Sequence, residues 1–591
     1  MLKNINILLT QNQKKQCVFL FFGSIISSFF ELIGIGSIPV FAMIIIDLNL
    51  IKSKFPSFVD QNLLDQFSQN QMALFGALAL VIIFSLKNLY LALMAYFQGK
   101  VTKTLRSNLG LRLFKTYINT RYIFHLQRNP AELLRGITAD VNNTIDLILS
   151  IIILFREILL LVLVFSLLFY ADPFISFSVF VFLTSFVGLF FFLTKKRLKT
   201  IGKMIQYFAG RQIKIVNQGF GAIKEVKILN KEKYVEKIFK QNIDEIEKNY
   251  FIVFFLNAMP RLFLEVISVI AVVVVSTISV FMYASTALMI PLMTLLAVSA
   301  VRLIPAFGAI AMSLTTIRAK IPAFDFVSKE ISELENTNII LNQENEKEIK
   351  FFKDIHVKKV NFRYPNTNAY SIIDFNLSIN SGKKIGFIGS SGAGKSTFVN
   401  LLLGLLQPTD GKILIDGKDI SENLRNWQSQ IGYVSQDIYL LDDTIRNNIA
   451  FGQSSTSINS EYLLSAIKTA QLENFVNSLS NGEETIIGNR GVRISGGQKQ
   501  RIGIARALYN KPRVLIFDEA TSSLDLENER KIIDKICQSN KELTFIIISH
   551  RNNTVKNCDL IYVFDNGKLI DKGSYKEILS KHNHLQERIT N

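Results

Sequence analysis

The chain has 591 residues, 49% of them hydrophobic, with 47 phenylalanines and a mean hydropathy of +0.28, which excludes a single small soluble domain. The net charge of +18 admits either nucleic acid or an anionic membrane surface as a partner. Three cysteines, Cys17, Cys537 and Cys558, are odd in number and lack a CxxC spacing, which argues against a disulfide framework and against a metal site.

The apolar excess lies before about residue 320, and the remainder has the composition of a soluble domain. Six apolar stretches are long enough to cross a bilayer, roughly at 17–46, 72–98, 142–171, 174–194, 251–283 and 287–316. The N-terminal MLKNINILLTQNQKKQ precedes the first of them. That run is too long, and lacks an A-x-A site, for a cleavable signal. Residues 48–71 form an outer loop whose Phe55, Phe58, Val59, Leu63, Leu64 and Phe67 fit either an amphipathic surface helix or a plain loop. The third and fourth stretches are separated only by Ala171-Asp172-Pro173, and the fifth and sixth by Tyr283-Ala284-Ser285, so these pairs are tight hairpins. The second-to-third and fourth-to-fifth connections are long and basic, with Lys100, Lys103, Arg106, Arg112, Lys115, Arg121 and Arg128, then Lys195, Lys196, Arg197 and Lys199. Cationic connections stay in the cytoplasm, so topology accounts for much of the charge, and both chain ends are expected there too. The expected division is a transmembrane domain at 1–321, a polar linker at 322–349 and a nucleotide-binding domain at 350–591.

Charges inside the apolar stretches include Lys87, Arg156, Glu157, Arg261, Glu265 and Arg302. Such charges are costly in a bilayer and point by default to function. Arg261 and Glu265, four apart on a helix, could also neutralise each other. Lys87 and Arg302 have no such local partner, and a cavity lined by Lys87, Arg261 and Arg302 would suit an anionic cargo.

In the soluble half, Gly389, Ser390, Ser391, Gly392, Ala393, Gly394, Lys395, Ser396 and Thr397 fit G-x-x-x-x-G-K-[ST] between an apolar strand and a helical pattern. Glycines let backbone amides approach phosphate oxygens, and the following helix presents its positive end. Lys395 is placed for the β- and γ-phosphates of ATP, and Ser396 for Mg²⁺. Val514–Phe517 reads as a buried strand that ends in Asp518, a Mg²⁺ ligand through water, and Glu519, a general base for the attacking water. Between these two motifs stands Ile494-Ser495-Gly496-Gly497-Gln498, opening a basic helical run.

That last motif, with Ile where Leu is usual, resembles the signature of ATP-binding-cassette (ABC) proteins. The resemblance implies an all-α six-helix transmembrane domain of exporter type fused to an α/β P-loop NTPase domain. It implies that Ser495, Gly496, Gly497 and Gln498 close over ATP held by a second subunit, so the chain works as a homodimer. By the same resemblance, Tyr364 stacks on adenine and Gln436 contacts Mg²⁺ and senses the membrane domain. Asp525, in Ser523-Leu524-Asp525, joins the two ATPase subunits, and His550 contacts the γ-phosphate. Asn489 departs from the pattern, since exporter relatives usually carry Glu there. Coupling helices are implied around 124–134 and 212–222. A membrane domain and an ATPase domain on one chain is the exporter arrangement.

Asn257–Glu265, Val301–Pro305, the N-terminal MLKNINILL and the outer loop resemble bacterial lipid-linked oligosaccharide flippases. This implies a polyprenyl-pyrophosphate glycan, or a related anionic glycolipid, moved across the bacterial cytoplasmic membrane by ATP hydrolysis. Multidrug, lipid A and peptide export are the alternatives within transport. A DNA- or ribosome-directed ATPase conflicts with six apolar spans, so no nucleic-acid partner is expected. An ATP-gated channel or regulatory subunit conflicts with an intact Glu519 and His550.

Overall fold

The computed structural model describes residues 2–46, 68–171, 173–282, 286–341, 353–488, 491–520, 526–540, 542–549 and 552–581. The chain forms two compact units, residues 1–120 with 124–340, and residues 121–123 with 341–591.

The first unit is helical. A short α1 (Leu2–Leu8) leads into α2 (Gln11–Ile46), followed by α3 (Gln69–Ile118), α4 (Tyr122–Gln127), α5 (Pro130–Arg135), α6 (Val141–Ala171), α7 (Pro173–Gly221), α8 (Ile223–Ile228), α9 (Glu232–Met282) and α10 (Thr286–Leu341). Six of these, α2, α3, α6, α7, α9 and α10, carry the six apolar stretches. Four spans are long and apolar enough to cross a membrane over their described residues: Gln11–Ile46, Gln69–Ile118, Pro130–Tyr170 and Ala297–Glu335. In hydrocarbon every backbone polar group must be satisfied within its own segment, so helices are the expected solution. The helix α3 starts at a capping box, in which Ser68 and Gln71 bond each other's backbone N–H groups.

The long helices run well past the bilayer length, and there they bury apolar stripes of their own. On α3, Val101, Leu105, Leu109, Leu113 and Tyr117 recur every four residues and pack with Val141, Ile145 and Ile148 of α6 and Phe324, Val327 and Ile331 of α10. The helix α10 therefore continues through Leu341, and most of the stretch expected as linker from residue 322 is packed helix. Phe324, Val327 and Ile331 lie three and four apart, on one face, and Glu330, buried in the same stretch, pairs with Arg128. Residues 212–221, expected as a coupling helix, belong to the end of α7, and the short helix beyond is α8. Of the outer loop expected at 48–71, residues up to 67, with the open choice between helix and loop, lie outside the described residues, while Ser68 caps α3 and residues 69–71 belong to that helix.

The second unit is α/β. One sheet has the order β2 (Ile372–Asn380), β1 (Asp354–Phe362), β4 (Asp410–Ile415) and β5 (Lys418–Asp419), all antiparallel. The other has the order β10 (Lys568–Gly573), β9 (Leu560–Asp565), β3 (Lys384–Gly389), β8 (Thr544–Ile548), β7 (Val514–Asp518) and β6 (Ile431–Val434). It is parallel from β9 to β6, with Ile385 opposite Ile546 and Ile516 opposite the same Ile546. All five residues of β7 and of β8 are buried, as continuous apolar runs in a parallel sheet require. This places the carboxyl ends of β3 and β7 side by side across β8, each opening into a loop or helix.

Candidate nucleotide site and an intramembrane charge cluster

At the end of β3 the chain turns through Gly389 and enters α11 (Lys395–Leu402) with Gly394 at the N-cap. Two of the loop glycines are required by their own chain. Gly389 sits at φ +153°, and a Cβ there would meet the Phe564 carbonyl oxygen at 2.2 Å. Gly394 sits at φ +100°, and its Cβ would meet the Ser371 carbonyl oxygen at 2.8 Å.

The loop borders a cavity of about 560 Å³. Ser391, Gly392, Gly394, Lys395, Ser396 and Thr397 face it, with Gln436 and Glu519 opposite. Gly389, Ser390 and Ala393 do not line it and instead hold the loop from behind. The Ala393 N–H donates to the Ser390 carbonyl, and the Gly567 N–H donates to the Ala393 carbonyl. The Lys395 side chain folds over the loop, with Nζ donating to the carbonyls of Gly389 and Ser390 at 2.8 Å each. Burial holds its pKa below the usual lysine value, opposed by the carboxylates of Glu519 and Asp518. A phosphate would replace those carbonyl contacts with a charged partner.

Asp518 ends β7 and is 8% exposed. Burial pushes its carboxyl above the ordinary range, while the Tyr433 hydroxyl donates to its Oδ2 at 3.3 Å. Tyr433 was absent from the sequence expectations, and its position at the end of β6, beside β7, is what finds it. Glu519 follows in a left-handed conformation, φ +51°, with its N–H donating to the Ile548 carbonyl at 3.0 Å. A non-glycine residue held there costs about 1–3 kcal/mol, and such strain concentrates at working sites. Gln436 Nε2 donates to Glu519 Oε2 at 2.9 Å. Ser396, Asp518 and the Gln436 side-chain oxygen are hard oxygen donors of the kind Mg²⁺ takes.

Tyr364 does not line the cavity; its hydroxyl shares a 3.2 Å hydrogen bond with Thr397 Oγ1. A second aromatic residue, Tyr370, does line it. After α11 come α12 (Leu424–Ser429), α13 (Ile445–Ile449), α14 (Ser460–Thr469) and α15 (Glu473–Asn477), and Ser495 then caps α16 (Gly496–Tyr509). Ser495 Oγ accepts from the Gln498 N–H at 3.2 Å, and Gln498 Oε1 accepts from the Ser495 N–H at 2.9 Å. None of Ser495, Gly496, Gly497 and Gln498 lines the cavity that Lys395 borders. Asn489, Ser523, Leu524, Asp525 and His550 fall outside the described residues. Among the described residues no cluster of three or more His, Cys, Asp or Glu could hold a metal by itself.

In the membrane unit the expected cations meet a partner that the sequence did not single out. Arg302 Nη2 donates to Glu31 Oε1 at 2.6 Å, and Lys87 Nζ lies 3.5 Å from Glu31 Oε2. Both cations, expected to lack a local partner, thus share one carboxylate from α2. Glu31 is the one carboxylate in the first apolar stretch, and that solitude was the available signal. A cavity of about 290 Å³ beside it is lined by Glu31, Arg156 and Arg302 among others. Arg156 pairs with its neighbour Glu157. Arg261 and Glu265, which could have neutralised each other, are both exposed, and no ion pair joins them among the described residues.

Comparison with known proteins gives consistent results for both halves. Residues 372–522 match the ABC transporter family, and residues 17–304 match the ABC transporter transmembrane region. The chain is 30% identical over 539 residues to an ATP-dependent lipid A-core flippase of Wigglesworthia glossinidia brevipalpis, covering 87% of this chain and 88% of that protein. It is 43% identical over 229 residues to the alpha-hemolysin translocation ATP-binding protein of Escherichia coli, covering 39% of this chain and 32% of that protein. Among solved structures, a bacterial Atm1-family ABC exporter with ATP bound superposes with a TM-score of 0.76 at 21% identity, over 98% of each chain.

Proposed function

The chain belongs to the ABC transporter family, as an exporter half-transporter that couples ATP hydrolysis to transport across a membrane, and from that premise we propose that its cargo is a polyprenyl-pyrophosphate-linked glycan or a related anionic glycolipid. The observation that carries the proposal is the excess of cations around the cavity in the membrane unit. Lys87 and Arg302 outnumber Glu31, and Arg156 and Glu157 cancel, so the cluster is left with one net positive charge. A cation excess within membrane-spanning helices favours a phosphate-bearing head group over a neutral amphiphile.

In the ATPase domain the proposed roles follow from position. Lys395 and the Ser391–Ser396 amides hold the phosphates, and Tyr364 or Tyr370 offers an aromatic face to adenine. Ser396, Asp518 and Gln436 would hold Mg²⁺, which neutralises charge on the phosphates when bound. Glu519 takes a proton from the attacking water, once Gln436 releases the hydrogen bond that now occupies its Oε2. Ser495–Gln498, which do not line the cavity of their own chain, serve the phosphates of a second copy, while Asp525 joins the two ATPase subunits and His550 contacts the γ-phosphate. Function as a homodimer in a bacterial cytoplasmic membrane, with the ATPase domains in the cytoplasm, fits this arrangement.

A second reading, transport of a lipid A-type molecule, is favoured by the similarity to the lipid A-core flippase along most of the chain. Both cargoes carry phosphate on a lipid anchor, so the decisive test compares them. In nanodiscs, ATPase activity should rise several-fold with a polyprenyl-pyrophosphate glycan and less with lipid A. The stimulation should fall by roughly tenfold in Arg302→Ala, the loss of a charged contact. Stimulation by lipid A alone would transfer the assignment to that lipid. Stimulation by neutral drugs alone, undiminished in Arg302→Ala, would refute an anionic cargo.

A further inference from the structure

The 290 Å³ cavity has a carboxylate where an anion-binding site needs cations. Glu31 is 8% exposed at its side chain, and both of its oxygens are engaged, one by Arg302 and one by Lys87. Arg302 lines the cavity beside Glu31. Lys87 does not; its link to the cavity is Glu31, and its ammonium stands 4.4 Å over the Phe84 ring. The nearby hydroxyls of Ser24, Ser27 and Ser28 donate to backbone carbonyls, that of Ser28 to Ser24 and also to Arg156. Arg302 still has capacity, for its Nε is buried with no hydrogen-bond partner among the described residues.

A buried ion pair persists only while each charge is compensated. Removing Glu31 would leave Lys87 and Arg302, 13% and 35% exposed at their side chains, without their shared counter-ion unless another anion arrived in its place. A carboxylate offers two oxygens and one charge. A pyrophosphate offers more of both and can engage both cations and the unused Arg302 Nε. A monophosphate has a smaller margin over the resident carboxylate.

We propose that Glu31 is an internal counter-ion, which occupies the anion-holding positions of Arg302 and Lys87 and admits only head groups charged strongly enough to displace it. The inference rests on the cargo assignment above and names the residue that sets its selectivity.

The test measures binding of farnesyl pyrophosphate and farnesyl monophosphate to the full-length protein in nanodiscs, with saturating Mg-ADP so that the phosphate loop is filled. Wild-type protein should prefer the pyrophosphate. Glu31→Gln should tighten the monophosphate by roughly tenfold and the pyrophosphate by less, so that discrimination shrinks. Glu31→Asp keeps the charge on a shorter arm, and it should give the same change at smaller size if Glu31→Gln fails to fold. Affinities for both lipids unchanged in both variants would overturn the counter-ion role while leaving the cargo assignment standing. Binding that appears only in the variants would support the counter-ion role and refute the pyrophosphate cargo. Absence of binding in every protein would refute both.

Discussion

Asp518 is held in its buried position by the sheet, and the consequence is a dependence on pH. Burial raises its carboxyl above the ordinary range, so the folded state keeps a proton that the unfolded state has lost. Its contribution is therefore favourable at low pH and is lost as pH rises from the ordinary carboxylate range through the raised folded value. Asp518→Asn removes that loss. The nucleotide-free variant should melt at a higher temperature than wild type near pH 7, with the difference shrinking as pH falls toward 4, while its Mg²⁺-dependent ATPase drops at least about 100-fold. A melting temperature unchanged across that range would show that the buried carboxyl carries no such cost. Lys395, Asp518 and Glu519 were legible in the sequence because each stands in a short motif whose spacing the chemistry dictates. Glu31 was not, since its partners Lys87 and Arg302 lie 56 and 271 positions away and only packing brings them together. Tyr433 was missed for the same reason, being 85 positions from Asp518.

The helices show which signals survive folding. The capping box on α16 joins Ser495 to Gln498, three residues on, and holds the start of the basic run that the sequence showed as helical. The extent of α10 was misjudged, because charge and amide content masked a stripe of Phe324, Val327 and Ile331 that needs α3 and α6 to complete it. At the same end of the bundle, Arg112 makes two 2.7 Å bonds to the Glu335 carboxylate and donates to the carbonyls of Ile7 and Leu8, which docks α1 against α3 and α10. The helix α16 carries the clearest element-level test. Its N-terminus does not line the cavity at Lys395, so it should act across a dimer. Chains carrying Lys395→Ala and chains carrying Ser495→Ala should each lose ATPase activity, by about 100-fold. Reassembled together, they form mixed dimers with one intact pairing of Lys395 and Ser495, and activity should partly return. No recovery in verified mixed dimers would place Ser495 in the site of its own chain.

At the scale of the whole molecule, two halves with different physics share one chain. In the ATPase half the phosphate-loop residues Ser391, Gly392 and Gly394–Thr397, with Glu519, line one cavity and were singled out from sequence because phosphate chemistry constrains backbone and side chains at fixed spacings. The membrane half was legible in its six spans, since bilayer thickness constrains length, yet its cavity depends on which helix faces meet. The proposed cargo assignment rests on that cavity, on Glu31, Lys87 and Arg302. The most direct measurement is leaflet translocation in proteoliposomes, using a fluorescent polyprenyl-pyrophosphate glycan placed in the leaflet on the ATPase side. The expected result is movement to the opposite leaflet that requires ATP and Mg²⁺, is abolished in Glu519→Gln and falls about tenfold in Arg302→Ala. Equal movement without ATP, or in Glu519→Gln, would contradict an ATP-driven flippase for this lipid.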